Sequence, residues 1–213
     1  MSNQKQKRII AIGDIHGEYK KLENIFLKLD LQTSDTVVFL GDYIDRGFYS
    51  KQVVEKLIEM SKYCHCEFLI GNHEYYLLRA FNNNAFAKDF FYKYGGNATV
   101  ASYGSFDNIL KTHSDFFNNL KYYYLTENYL FVHAGIRPDL PLEQQDYFDM
   151  IMIRDNFINH GHQLKQKVVF GHTPFKIPLI ENDKIGIDTG CGKYPNAPLT
   201  AYICNENKFI SAI

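Results

Sequence analysis

Short apolar runs alternate with amphipathic stretches along the first third of the chain. Residues 8–12, 36–40 and 66–70 are mostly β-branched, aliphatic or aromatic, and glycine follows each run directly. Such runs are typical of buried strands. Between them, residues 17–30 and 50–62 place apolar side chains at helical spacing, which predicts one buried stripe on each of two helices. The pattern therefore predicts three strands separated by two helices.

The spacing of these strands predicts that they lie parallel. Asp14, Asp42 and Asn72 each follow the glycine that closes a run, at intervals of 28 and 30 residues. This interval is about the length of one strand–helix–strand unit. Because such units have right-handed crossovers, the side chains that follow the three strands should meet at one edge of the sheet. A third helix is predicted from about residue 74.

The second half of the chain has a different pattern. Residues 80–121 are polar, aromatic and rich in asparagine, which predicts a helical cap or insert. After residue 122 the chain contains short strand-like segments with few long helices between them: YYYLTE, YLFVHAG, VVFGHTP, KIGIDTG, LTAYIC and KFISAI. A parallel first half and a hairpin-rich second half favour an α/β fold, in which a central two-sheet β-sandwich is flanked by helices.

Length and composition indicate one domain over residues 1–213, with residues 1–7 as a flexible tail. Hydrophobic residues make up 46% of the chain, which suffices for a core of this size. The formal net charge of −1 gives no electrostatic reason to expect nucleic acid or an acidic membrane as a partner. No apolar stretch approaches the roughly 18–20 residues of a membrane span, and the amino terminus lacks a secretory pattern. We expect a cytoplasmic monomer.

Side chains that bind metals follow five of the apolar runs. This set has oxygen and nitrogen ligands without thiolate, which suits Mn²⁺, Fe or Zn²⁺. It has more members than one tetrahedral zinc ion binds, whereas two ions bridged by a carboxylate use them naturally. The sequence therefore predicts two divalent ions, Mn²⁺ first with Fe or Zn²⁺ as alternatives, at a site that attracts an anion. The residues are Asp14, His16, Asp42, Asn72, His73, His133 and His172.

Two arginines are candidates for binding that anion. Arg46 follows Asp42 by four residues in GDYIDRG, and Arg154 directly follows the apolar run MIMI. Guanidinium groups match the geometry of phosphoryl oxygens and bind them through two hydrogen bonds. An alternative interpretation of Arg154 is that it forms an ion pair at the protein surface.

Five motifs, in this order, resemble the signature segments of the phosphoprotein-phosphatase family of calcineurin-like metallophosphoesterases, in particular its bacterial and phage-type Ser/Thr protein phosphatases. The resemblance extends from residue 8 to about residue 203. It implies a β-sandwich flanked by helices and the hydrolysis of phosphoesters by a metal-dependent enzyme. The motifs are GDIHG at 13–17, GDYIDRG at 41–47, GNHE at 71–74, HAG at 133–135 and FGHTPF at 170–175.

The resemblance also implies a role for each matching residue. His73 would be the general acid, Asp45 would hold its imidazole, and Arg46 and Arg154 would bind the phosphate. Glu74 is interpreted as a carboxylate at a helix start. The implied metal ligands are Asp14, His16 and Asp42 for the first ion, and Asp42 as a bridge with Asn72, His133 and His172 for the second.

The motifs leave the substrate open. The leading prediction is a protein serine/threonine phosphatase, in which a hydroxide that bridges two metal ions attacks phosphorus directly and His73 is the general acid. The alternative is a symmetrical diadenosine tetraphosphate hydrolase. Its larger substrate would need a deeper pocket, built from residues 80–121 and 136–165, and these segments are compact. A phosphoprotein, a phosphorylated small molecule or a nucleotide is therefore the expected partner.

Two further features bear on this choice. A non-catalytic metal-binding protein has no need for His73, Asp45 and Arg46 together, so the sequence argues against it. Aromatic residues are concentrated at residues 90–94 and 122–124. Most of them are expected in the core or the cap, and one or two could stack on a base if the substrate is a nucleotide.

Overall fold

The computed structural model describes residues 7–213, so nearly all of the predicted tail at residues 1–7 lies outside the described residues. The first of two sheets has the strand order β10–β9–β1–β2–β3. The first three strands of the chain are parallel, as predicted, and β9 pairs antiparallel with β1 and β10. These strands are β1 (Ile9–Ile12), β2 (Thr36–Phe39), β3 (His65–Phe68), β9 (Leu199–Ile203) and β10 (Lys208–Ala212).

The second sheet has the order β4–β5–β6–β8–β7. Its outer pairs, β4 with β5 and β7 with β8, are antiparallel, whereas β5, β6 and β8 are parallel. The second half of the chain thus contains hairpins, as predicted, at β4–β5, β7–β8 and β9–β10. It also contains the parallel pair β5–β6, because a long connection lets these two strands run in the same direction. The strands are β4 (Tyr123–Leu125), β5 (Tyr129–Val132), β6 (Lys167–Phe170), β7 (Leu179–Ile180) and β8 (Lys184–Gly186).

The two sheets pack face to face, and alternation along the strands explains how. In β1, Ala11 packs in a cluster with residues of the second sheet, such as Phe131 and Val169. Its neighbours Ile10 and Ile12 pack on the opposite face, in the cluster that contains the helices. Both faces of the strand are therefore buried, which explains why its sequence is a continuous apolar run. The predicted α/β sandwich flanked by helices is confirmed.

Three helices follow the first three strands, as predicted. They are α1 (Tyr19–Leu29), α2 (Ser50–Met60) and α3 (Asn72–Phe81). The third begins two residues before the predicted start, where the Glu74 carboxylate accepts the amide hydrogen of Gly71 at 3.1 Å. No helix in the described part of the chain is both long enough and apolar enough to cross a bilayer.

Residues 80–121 fold mainly as helices. Phe91, Ile109 and Phe117 from this segment are buried in the same cluster as residues of the first sheet. The segment therefore packs onto the first sheet, and its role as a cap over substrate stays a prediction. Two shorter helices lie between β5 and β6. The helices of these two regions are α4 (Ala85–Lys93), α5 (Gly96–Tyr103), α6 (Phe106–Asn118), α7 (Tyr147–Met152) and α8 (Asp155–Ile158).

Candidate active site

The parallel strands of both sheets end beside one cleft, and predicted metal ligands follow them. Asp14 follows β1, Asp42 follows β2, and Asn72 is the first residue of α3 after β3. His133 follows β5 and His172 follows β6, so the second sheet supplies two of these five side chains. All five are buried. The ligand set predicted at one sheet edge thus comes from two sheets that meet.

Asp42 belongs to two groups of possible metal ligands. One group contains His16 and His73, and the other contains His133 and His172; within each, the ligand atoms lie within 4.8 Å of one another. Asp42 Oδ2 is 3.5 Å from His16 Nε2, and Asp42 Oδ1 is 3.4 Å from His133 Nε2. Two atoms bound tetrahedrally to one ion at 2.0–2.2 Å lie roughly 3.3–3.6 Å apart. Each oxygen of Asp42 therefore has the spacing to share an ion with a different histidine.

Backbone carbonyls determine which ring nitrogen of two histidines is free. His16 Nδ1–H donates to Ile44 O at 3.0 Å, and His133 Nδ1–H donates to Leu40 O at 2.7 Å. Because a carbonyl oxygen only accepts, Nδ1 carries the proton and Nε2 keeps the lone pair that binds a metal. Nε2 of His172 is buried and has no hydrogen-bond partner among residues 7–213. A buried polar atom without a partner is rare, and these three nitrogens fit metal ligands.

The charge state of these groups also fits a cation. Burial lowers the pKa of each of the three predicted histidine ligands, which keeps their rings neutral, as metal binding requires. Burial, followed by the carboxylates of Asp188 and Asp42, raises the pKa of Asp14 well above its usual value. Asp14 lies outside both ligand groups, and its carboxylate accepts the His172 amide hydrogen at 3.1 Å. Buried carboxylates that raise each other's pKa are stabilised by a nearby positive ion.

His73 has a hydrogen-bond partner on each ring nitrogen. Its Nδ1–H donates to Asp45 Oδ2 at 2.6 Å, and Arg46 Nη2 donates to its Nε2 at 3.2 Å. Burial lowers the pKa of His73, but the carboxylates of Asp42 and Asp45 outweigh it and raise the pKa above its usual value. A metal ligand needs a neutral ring, whereas a proton donor needs a protonated one. The two carboxylates favour the protonated ring that an acid needs. The Arg46 contact, in which Nε2 can only accept, fits the neutral ring that remains after the proton has left. The role of His73 as the acid stays a prediction.

Several site residues have strained backbones that Glu74 helps to hold. Its carboxylate accepts the amide hydrogens of Gly71 at 3.1 Å, Asp42 at 2.9 Å and Tyr43 at 2.8 Å. Left-handed backbone in a non-glycine residue persists only where the surroundings impose it. Glu74 stands at the helix start as predicted, and it also fixes the turn that carries Asp42. The left-handed residues of the site are His16 (φ 46°), Asp42 (φ 54°), Asp45 (φ 72°), Arg46 (φ 67°) and His172 (φ 63°).

Both predicted phosphate-binding arginines line the cleft, which has a volume of about 560 Å³. Arg46 reaches it from the turn after β2, beside His73. Arg154 Nη1 donates to His172 O and to Thr173 Oγ1, both at 3.2 Å. The guanidinium of Arg154 is thus held against the segment that carries a predicted metal ligand. Its binding of phosphate stays a prediction.

The cleft contains two lysines and an aspartate for which the sequence predicts no role. Lys93 at the end of α4 and Lys193 in the loop before β9 line it, together with Phe90 and Tyr94. Asp188 also lines it, and burial raises the pKa of this carboxyl group to about 6. Asp188 follows the apolar run of β8, just as Asp14 and Asp42 follow β1 and β2, so the same sequence pattern identifies it. The two lysines lie in no motif, and only the fold brings them to the cleft.

Comparison with known proteins agrees with this geometry. The family model for calcineurin-like phosphoesterase matches residues 7–213. The asymmetrical bis(5'-nucleosyl)-tetraphosphatase PrpE of Oceanobacillus iheyensis is 30% identical, over 96% of this chain and 91% of that protein. The serine/threonine-protein phosphatase PP2A-like PPG1 of Saccharomyces cerevisiae is 31% identical, over 74% of this chain but only 39% of that protein. A crystal structure of a candidate diadenosine tetraphosphatase matches with a TM-score of 0.73 and 22% identity, covering 98% of this chain and 94% of that one, which shows a shared fold.

Proposed function

The chain belongs to the calcineurin-like phosphoesterase family and is a hydrolase of phosphoester bonds, and we propose that it acts on nucleoside polyphosphates such as diadenosine tetraphosphate. The observation that carries this proposal is the lining of the cleft, which combines cationic and aromatic side chains beside the ligand groups. The cationic side chains are Arg46, Lys93, Arg154 and Lys193, and the aromatic ones are Phe90 and Tyr94.

The number of cationic side chains exceeds what one phosphate group needs. A phosphate monoester carries a charge of roughly −1.5 to −2 at neutral pH. When bound, two divalent ions and the two arginines would provide more positive charge than that at the reacting phosphorus, even after the carboxylates of Asp14 and Asp42 are subtracted. Lys93 and Lys193 are therefore available to bind additional phosphate groups of the substrate. A polyphosphate chain has such groups, whereas a phosphate monoester has only one.

The size and the aromatic wall of the cleft support a nucleotide. Its volume of about 560 Å³ falls within the roughly 300–1,000 Å³ of sites that enclose small molecules. The residue Tyr94 is 41% exposed, and its ring centroid lies 4.3 Å from that of Phe90. Stacking of a base on an aromatic side chain stabilises binding by about 1–3 kcal/mol. Residues 80–121 and 136–165, which the sequence predicts to be compact, contribute Lys93 and Met152 to its wall.

A protein serine/threonine phosphatase is the second candidate. The sequence motifs favour it as the leading prediction, and the yeast phosphatase that matches 74% of this chain supports it. The tetraphosphatase matches over 91% of its own length. This match and the two lysines in the cleft are the reasons why we propose nucleoside polyphosphates ahead of phosphoproteins as the substrate. That relative is of the asymmetrical type, whereas the alternative predicted from the sequence is a symmetrical hydrolase.

The reaction we propose uses the buried ligand groups and the His73–Asp45 pair. When bound, two divalent ions, Mn²⁺ or alternatively Fe or Zn²⁺, would supply a deprotonated water as nucleophile and positive charge for the phosphoryl oxygens. Arg46 and Arg154 bind the non-bridging oxygens, and His73 protonates the departing oxygen while Asp45 holds its ring. The ligands we propose for the ions are Asp14, His16, Asp42, Asn72, His133 and His172.

Turnover of diadenosine tetraphosphate and of a phosphoserine protein, side by side with added Mn²⁺, tests the substrate. We expect a higher kcat/KM for the nucleotide. Product analysis adds the cleavage mode, because asymmetrical cleavage yields AMP and ATP, whereas symmetrical cleavage yields two ADP. A higher kcat/KM for the phosphoprotein would make the second candidate the function.

A further inference from the structure

Two buried hydroxyl groups contact Asp45. Thr99 Oγ1 donates to Asp45 Oδ1 at 2.6 Å, and the Asp45 amide hydrogen is directed at Thr99 Oγ1 and at Ser50 Oγ, at 2.8 and 3.1 Å. The two hydroxyl oxygens lie 3.0 Å apart. Asp45, Thr99 and Ser50 are each 0% exposed. Water therefore has no access to replace these contacts.

The two oxygens of Asp45 have different partners. Oδ2 accepts from His73 Nδ1 at 2.6 Å, and Oδ1 accepts from Thr99. Two hydrogen bonds on opposite oxygens fix the plane of the carboxylate, and that plane fixes the direction of the imidazole ring. Without the Thr99 hydroxyl, Oδ1 would be a buried charged oxygen without its side-chain donor, and a rotation of the carboxylate would move the His73 ring with it.

Thr99 lies in a part of the chain that contains neither His73, the predicted acid, nor its partner Asp45. It lies on α5, within the helical segment that the sequence predicts as a cap. The start of this helix is closely fitted to the turn that carries Asp45. Gly95 O accepts the Arg46 amide hydrogen at 3.3 Å, and a Cβ atom on Gly95 would lie 2.7 Å from Arg46 N. The segment thus contacts this turn through both its backbone and Thr99.

We propose that Thr99 is a positioning residue for proton transfer: its hydroxyl holds Asp45 so that His73 is directed at the departing oxygen. This inference rests on the proposed role of His73 as general acid. It predicts a specific kinetic signature. A displaced acid slows the reaction most when the leaving group is poor and needs a proton, and least when the leaving group is good.

Thr99→Val, which replaces the hydroxyl with a methyl group of similar size, and Thr99→Ser, which keeps the hydroxyl, form a matched pair. The measurement is kcat and KM of the Mn²⁺-loaded enzyme on phenyl phosphate, whose leaving group is poor, and on 4-nitrophenyl phosphate, whose leaving group is good. We expect Thr99→Val to lower kcat on phenyl phosphate by about tenfold or more, a part of what a general acid contributes. KM and the rate on 4-nitrophenyl phosphate should change little, and Thr99→Ser should restore most of the loss.

His73→Ala separates this inference from the proposed function. If His73→Ala loses more on phenyl phosphate than on 4-nitrophenyl phosphate while Thr99→Val loses equally on both, His73 is the acid and the positioning role of Thr99 is overturned. If His73→Ala itself loses equally on both esters, the proposed acid role of His73 fails and the inference about Thr99 fails with it, whereas the proposed substrate is tested separately by turnover of diadenosine tetraphosphate. In the His73→Ala background, Thr99→Val should cause no further loss, because both changes affect the same step. An additive loss there overturns the inference.

The folding of the variants is checked by thermal unfolding. If Thr99→Val does not fold, Ser50→Ala is measured in the same way, since it removes the other hydroxyl from the Asp45 amide. A loss confined to phenyl phosphate supports the positioning role of this hydroxyl pair, and an equal loss on both esters contradicts it.

Discussion

Nδ1 of His73 lies 2.6 Å from Oδ2 of Asp45, with both side chains almost completely buried. Nε2 of the same ring lies 3.8 Å from Oδ2 of Asp42, the residue shared by both ligand groups. The imidazole thus lies between a carboxylate that orients it and the carboxylate proposed to bridge two ions. This arrangement places the proposed proton donor beside the proposed metal centre.

Replacing His73 with Ala should lower kcat on phenyl phosphate by about 10²–10⁴, the usual contribution of a general acid. The loss on 4-nitrophenyl phosphate should be much smaller, and both metal ions should stay bound, which elemental analysis checks. His65→Ala is the control, because the side chain of His65 is 56% exposed and lies at the start of β3. A loss of bound metal in His73→Ala would instead identify this residue as a ligand.

Replacing Asp42 with Asn should reduce the metal content below two ions per chain, because each of its oxygens has the spacing to share an ion with a different histidine. An amide offers one oxygen, so it cannot bridge in the same way. The measurement is elemental analysis after gel filtration, with the exposed Asp115→Asn on α6 as the control. Two tightly retained ions in Asp42→Asn would contradict the bridging role.

Removing Lys93 or Lys193 should weaken the hydrolysis of polyphosphates selectively. Each Ala variant should lower kcat/KM for diadenosine tetraphosphate by about 2- to 10-fold, as expected for one partly exposed charged contact. The rate on 4-nitrophenyl phosphate should not change, because this ester has a single phosphate. Lys111→Ala, an exposed lysine on α6 outside the cleft, is the control. Equal effects on both substrates would argue against a distal phosphate site.

Replacing Glu74 with Gln should destabilise the turn that carries Asp42. The Glu74 carboxylate accepts hydrogen bonds from the backbone amides of Gly71, Asp42 and Tyr43. In the Gln variant, an NH₂ group replaces one of its oxygens, and a donor would then face a donor. We expect the free energy of unfolding in urea to fall by about 1–3 kcal/mol, together with weaker Mn²⁺ binding. Glu59→Gln, an exposed change on α2, is the control. An unchanged affinity for Mn²⁺ would show that the turn keeps its geometry without this carboxylate.

Periodicity predicts the parts of the fold in which side chains alternate between two buried faces. The three parallel strands and the helices after them follow from apolar runs and their spacing, and so do the strand ends that carry Asp42, His133 and His172. The return of β9 and β10 to the first sheet has no such signal, because it depends on pairing between residues nearly 200 positions apart.

The surroundings of the site are less predictable than its motifs. Asp45 and Thr99 are 54 positions apart and lie on elements that only the fold brings together. Lys93 reaches the cleft because α4 ends there, and no pattern around it marks that position. The resemblance to the family is confirmed by the match to residues 7–213. The roles of individual site residues, the identity of the metal, the monomeric state and the cytoplasmic location stay predictions.

The central claim is that hydrolysis requires two metal ions in the cleft, and the dependence of turnover on the number of bound ions tests it most directly. The protein is stripped with a chelator, its metal content is checked by elemental analysis, and Mn²⁺ is added back while hydrolysis of diadenosine tetraphosphate is followed. The account predicts no turnover in the metal-free protein and a rate that reaches its plateau at two ions per chain. Turnover without metal, or a plateau at one ion per chain, would contradict it.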